Sequence, residues 1–277
     1  MERTTIDGTA LEYEVSGIGE PVVLIHGALI ADAFRPLLAE PALRDQYRVI
    51  HYHRRGYGGA HTAAAVDLAR QAADCRALLH HLGVRRVHVV GHSLGGTIAL
   101  RLALDAPDLV HALALLEPAL VLGASAQTYR EAIARNQQRY RAGDITGTVD
   151  EFLQPRFGPG YRAAFLDRVL PDGFTQVIAD AGNAFERDMP AVAEWEFTEA
   201  DAGRIIQPVI AVLGSESEAL WSRFGETHRL LLRWLPQAEE FVLPGATHAL
   251  QLQNPHGMAA ALADFFARHP IPTPGRR

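Results

Sequence analysis

In this 277-residue chain, Val89-Val90-Gly91-His92-Ser93-Leu94-Gly95-Gly96-Thr97-Ile98-Ala99-Leu100 joins a strand pattern to a helix pattern through a serine flanked by glycines. Upstream, Val87 to Val90 is a short β-branched run of the kind that forms a buried strand. Downstream, Ile98 to Leu104 is an apolar helical run that must stop before Pro107. Between them Ser93 sits in G-x-S-x-G. Glycines lack a Cβ, so strand and helix can crowd together there while Ser93 takes a strained turn. Such a turn lifts the hydroxyl out of the sheet and aims the Leu94 backbone N–H at the same space. The amides of a helix N-terminus favour negative charge at that point.

This strand, G-x-S-x-G and helix resemble the nucleophile elbow of the α/β-hydrolase superfamily. The resemblance implies a mostly parallel sheet flanked by helices, a nucleophile at Ser93, and partners in the chain order serine, acid, histidine.

The rest of the chain fits that frame. Thr4-Thr5-Ile6, Asp7-Gly8 and Leu11 to Val15 predict a hairpin with an Asp-Gly turn. Pro21 to Ile25 is an apolar run suited to a parallel strand buried on both faces, and Tyr47 to Tyr52 is the next strand. A helix over Val66 to Leu82, closed by Gly83, leads to the elbow strand, so strand and helix alternate as in a parallel sheet with right-handed crossovers. Ala112 to Leu116 is a further strand, ending at Glu117-Pro118. From about Val121 to Arg204 the pattern is helical, strand-free and rich in aromatic residues. Strand signals return at Pro208 to Gly214 and Glu240 to Leu243, with helices at Trp221 to Leu235 and Pro255 to Arg268. The expected division is a core of residues 1–120 and 205–270, a helical cap insertion of 121–204, and a flexible tail of 271–277.

Serine acyl chemistry needs a base, a group to orient it, and donors for the oxyanion. His248 lies in a loop after the last strand, where the family carries its histidine. His26-Gly27-Ala28 looks like the family's oxyanion loop, which assigns the two N–H donors to Ala28 and Leu94 and leaves the His26 ring a structural role. Many relatives have a bulky aromatic at the position of Ala28, so the methyl is expected to leave more room above Ser93. Relatives also usually place an aspartate three residues after the glycine ending the strand at Leu213, but that position is Ser217 here. A subset takes its acid from the end of the preceding strand, which points to Glu117. Glu216 and Glu218 stay open as alternatives, as does a triad without a carboxylate. The plainer role for Glu117 is a salt bridge to a cap arginine.

Composition narrows the classes further. Hydrophobic residues make up 48% and charged residues 21% of the chain, which is ordinary for a globular protein. A net charge of −6 without a Lys/Arg-rich tract argues against nucleic acid as a partner. No run of 18 apolar residues predicts a membrane span, and no N-terminal apolar region resembles a signal peptide. The single cysteine, Cys75, falls in the helical series Leu68, Ala72, Cys75, Leu79, Leu82 and is expected to be buried in a reducing, cytoplasmic setting. His51 and His53 share a strand face and His80-His81 are adjacent, but no metal-binding motif accompanies them, so no metal is expected. Gly56-Tyr57-Gly58-Gly59 resembles the family's R-G-x-G turn after the second parallel strand and precedes no phosphate-loop lysine, so no cofactor is implied.

The expected function is therefore a serine hydrolase acting on a small apolar ester or related acyl compound, with a homodimer left open. A carbon–carbon (diketone) hydrolase and a cofactor-free perhydrolase or haloperoxidase use the same triad. A non-catalytic ligand receptor is the rival from another class. Dehalogenases and epoxide hydrolases fit poorly, because their nucleophile is a carboxylate where this chain has Ser93.

Overall fold

The computed structural model describes residues 1–58 and 66–272. Gly59, the last residue of the glycine-rich turn, and Thr273 to Arg277 of the expected tail lie outside the described residues. Eight strands form one sheet: β1 (Glu2–Ile6), β2 (Thr9–Ser16), β3 (Glu20–Ile25), β4 (Tyr47–Tyr52), β5 (Val87–His92), β6 (Val110–Leu116), β7 (Val209–Gly214) and β8 (Ala238–Leu243). Their order is β1-β2-β4-β3-β5-β6-β7-β8. β1 and β2 form the antiparallel hairpin, with Asp7 and Gly8 at positive φ, and β2 pairs antiparallel with β4. All later pairings are parallel.

Period-two alternation explains how the central strands bury both faces. Val23, Ile25, Val87 and Val89 pack toward the helices Leu68–His81 and Leu94–Asp105. Val22, Leu24, Val90, Ala112 and Ala114 pack on the opposite face, against Met258, Leu262 and Phe266 of the C-terminal helix Pro255–Arg268. Each fully buried Val, Leu or Ile side chain among them contributes about 1.5–3 kcal/mol relative to exposure.

The Leu68–His81 helix begins at Asp67, whose carboxylate caps the Arg70 amide, and Gly83 follows its end at φ 71. It carries Cys75 inward, as the apolar series predicts. Between β6 and β7 the chain makes only helices and turns. The longest are Ala126–Arg141, Ile145–Phe157 and Gly173–Asn183. Beyond the last helix, Pro270 accepts a hydrogen bond from His111 and Ile271 donates one to Glu20, which ties the start of the C-terminal segment to the sheet. No helix among the described residues is long and apolar enough to cross a membrane.

Candidate active site

Three strand ends converge on Ser93. The serine follows β5 at φ 53, ψ −120, a strained conformation for a residue with a Cβ, and the helix begins at Leu94. The glycines are obligatory by contact: a Cβ on Gly95 would overlap the Ile25 carbonyl, and one on Gly91 would overlap the Gly95 carbonyl. Hydrogen bonds hold the strained turn in place. The Ser93 amide donates to Leu116 at the end of β6, at 2.9 Å, and the Ser93 carbonyl accepts from Gly96 and Ala119. As the first helical residue, Leu94 has a backbone N–H with no intrahelical acceptor.

Glu117 follows β6 directly and is itself held at positive φ (45°). Its side chain is 1% exposed. One oxygen accepts from the Gly214 amide at 2.7 Å, and the other meets His248 Nδ1 at 2.5 Å. Burial pushes the Glu117 carboxyl up to about 7, opposed by the Gly214 amide. Ser217, at the position where relatives usually carry aspartate, is buried, and its hydroxyl makes no hydrogen bond among the described residues. Glu216 and Glu218 point elsewhere: both are exposed, and Glu218 pairs with Arg229 at 2.9 Å. The alternative of a Glu117–arginine salt bridge is not what the contacts give; the partner is His248.

The His248 loop is pinned from both sides. Its amide donates to the Arg156 carbonyl, one of the unpaired carbonyls at the end of the Ile145–Phe157 helix, at 3.2 Å. Its carbonyl accepts from His92 Nε2 at 2.8 Å. The ring stacks on Phe224 at 4.5 Å and lies 6.1 Å from Phe157. Burial first, then the Arg156 and Arg223 cations, hold the imidazole well below its ordinary pKa. The ring is therefore neutral at rest.

Ser93, His248, Gly27 and Ala28 line one cavity of about 10 Å³, together with Ile30, Phe152, Leu153, Arg156 and Phe157. The room expected above Ala28 is filled. Phe152 and Phe157 of the Ile145–Phe157 helix line the cavity that Ser93 and Ala28 share, and that cavity is only about 10 Å³. Ile30 also lines a larger neighbouring cavity of about 320 Å³, bounded by Asp32, Arg35 and the segment Val169–Gly173.

The loop that carries Ala28 rests on a buried polar network that spacing in the sequence does not disclose. Arg54 donates to the His26 and Gly27 carbonyls at 3.0 and 2.9 Å, and its own amide donates to His26 Nε2. His26 Nδ1–H then donates to Gly27, which gives the ring the structural part expected of it. The Asp188 carboxylate, from the helical segment, pairs with Arg54 at 2.8 Å and accepts from Tyr57 at 2.7 Å and Gln71 at 2.9 Å. Tyr57 in turn accepts from the Leu29 amide.

His92 and Arg156 also escaped the sequence reading. His92 is the x of G-x-S, where no pattern distinguishes it. Arg156 has a visible signal: it takes the apolar slot in the helical series Val149, Phe152, Leu153, Arg156, Phe157. Asp32, His51 and His53 have donor atoms within 4.8 Å of one another, the spacing of a cation site. In the structure His53 bonds Glu12 and Asp32, and His51 bonds the Ala31 carbonyl.

An eight-stranded, mostly parallel sheet wrapped by helices, with a serine on a strained turn after β5, defines the α/β-hydrolase fold. A family model described as alpha/beta hydrolase fold matches residues 20–183, more than half of the chain, and the chain belongs to that family. It is an enzyme of that family. It is 27% identical to a non-heme haloperoxidase of Rhodococcus erythropolis, over 95% of this chain and 97% of that one. A hydrolase from Pseudomonas aeruginosa PA01 superposes with a TM-score of 0.75 at 28% identity, covering 96% and 97% of the two chains. The enol-lactonase from Burkholderia xenovorans LB400 shares the fold, with a TM-score of 0.78 at 18% identity over 96% of this chain and all of that one.

Proposed function

We propose that the protein is a serine hydrolase that cleaves a small ester or related acyl compound through an acyl-enzyme. Ser93 Oγ attacks the carbonyl while His248 takes its proton, and Glu117 keeps His248 in the useful tautomer and stabilises the imidazolium. The Ala28 and Leu94 N–H groups receive the oxyanion. The imidazolium then protonates the leaving group, and water activated by the same histidine releases the acid. The helices of residues 121–204 act as a cap on the core of 1–120 and 205–270. A cytoplasmic setting accompanies this assignment, on the strength of the single buried cysteine.

The observation that carries the proposal is the 2.5 Å contact between Glu117 and His248, beside the cavity that His248 shares with Ser93. Hydrolysis of a chromogenic short-chain ester, with kcat falling roughly 10⁴-fold or more in Ser93→Ala, is the expected result. Tight ligand binding with no turnover of any ester would instead favour a receptor. A second chemistry is suggested by the haloperoxidase relative: perhydrolysis by the same triad. Formation of a peracid from acetate and peroxide, faster than ester hydrolysis and lost in Ser93→Ala, would select it.

A further inference from the structure

Two guanidinium groups lie buried beside the proposed triad, Arg156 at 5% exposure and Arg223 at 2%. They are not equivalent. Arg223 donates to the Leu120 carbonyl at 2.6 Å and feels the Glu117 and Glu226 carboxylates. Arg156 donates to the neutral Phe152 carbonyl and feels the repulsion of Arg223. Among the described residues no carboxylate forms an ion pair with Arg156. Its cation lies 3.6 Å over the Phe152 ring and 4.7 Å from the Trp221 ring. Such faces attract a cation without neutralising it.

A buried charge without a counter-ion is costly, and chains keep one where something else supplies the opposite charge. Arg156 is also the one charged side chain at rest in the lining of the Ser93 cavity, the other lining groups being apolar, backbone, hydroxyl or neutral imidazole. We infer that Arg156 is a specificity-determining residue that receives the carboxylate of an anionic acyl substrate, the mono-ester of a short dicarboxylic acid. The inference rests on the serine-hydrolase proposal for the same site and departs from the wholly apolar substrate that the sequence suggests.

Chain length follows from the geometry. Arg156 and Ser93 line the same cavity of about 10 Å³, room for roughly one water. The carboxylate and the scissile carbonyl are therefore separated by only a few carbons, and the substrate's body displaces the apolar wall of Phe152, Leu153 and Leu252. The bound carboxylate has a second effect. It offsets the positive field at His248, so that the imidazolium forming during attack is less opposed.

The test compares mono-(4-nitrophenyl) succinate with 4-nitrophenyl butyrate, which differ chiefly in the terminal charge. Wild type should favour the succinate in kcat/KM by about ten- to a hundredfold, the worth of one hydrogen-bonded charge pair. The ratio should fall to near one in Arg156→Gln and be partly restored in Arg156→Lys. A wild-type ratio of one or less, or a ratio unchanged in Arg156→Gln, overturns the inference. Should Arg156→Gln not fold, competitive inhibition of wild type by glutarate against neutral glutaramide decides: equal inhibition overturns it. If neither ester is turned over, the serine-hydrolase proposal has failed. Calorimetric titration of glutarate into wild type and Arg156→Lys still reads the carboxylate site, and absence of binding to wild type counts against it.

Discussion

At the scale of single residues, Glu117 bears the sharpest expectation. Replacing its carboxylate with an amide removes the charge that stabilises the imidazolium and can favour the wrong tautomer of His248, with a loss that approaches ~10⁴-fold. Glu117→Gln should lower kcat/KM by orders of magnitude, while Glu216→Gln and Glu218→Gln stay within about tenfold, since both are exposed. Near-normal activity of Glu117→Gln would remove it from the triad. The pH profile gives an independent reading. His248 acts as a base only when unprotonated, and burial with the Arg156 and Arg223 cations disfavours its protonation, against the opposing pull of Glu117. Glu117 must be ionised at the same time, and burial raises its carboxyl to about 7, so the acid limb of kcat/KM should lie near 7 and report the buried Glu117–His248 pair. An acid limb well below the ordinary imidazole value of 6.5 contradicts this electrostatic account. Glu117 was legible as a candidate acid because Ser217 vacates the usual aspartate position. Its geometry was not, since it depends on Glu117 meeting a residue 131 positions away.

At the scale of elements, the strands, the elbow and the histidine loop were legible because each is written in contiguous residues: β-branched runs, glycines at contact points, a glycine-bearing loop after β8. The network under the Ala28 loop was not, because Arg54 and Asp188 are 134 positions apart and neither residue type announces a buried partner. Asp188→Asn leaves the Arg54 cation buried without its counter-charge, a change that typically costs about 3–5 kcal/mol. The midpoint of thermal unfolding should fall by roughly 10 °C or more. In the variant that remains folded, kcat should also fall, because Arg54 and Tyr57 bond the backbone on both sides of Ala28. A variant as stable and active as wild type would deny the network its role. Gly95→Ala makes the matching test of the elbow. Its Cβ would overlap the Ile25 carbonyl, so the helix cannot seat against β3 and folded protein should be lost; a folded, active Gly95→Ala enzyme would contradict that contact.

At the scale of the whole molecule, the strand-free composition of 121–204 marked an insertion between two sheet strands, but not where its side chains would go. Of these, Phe152, Leu153, Arg156 and Phe157 line the cavity beside Ser93. Phe157→Ala should shift preference toward longer acyl chains in an ester panel, alongside a stability loss of about 3–5 kcal/mol. A loss of stability with unchanged preference would make this aromatic a packing residue alone. On the proposed function, sheet and insertion together build an acylating serine. Intact-protein mass spectrometry after treatment with a fluorophosphonate, followed by peptide mapping, tests it most directly. One adduct, on Ser93, slowed strongly in Glu117→Gln and absent in Ser93→Ala, is the predicted result; an unmodified wild-type protein, or an adduct that persists in Ser93→Ala, would contradict it.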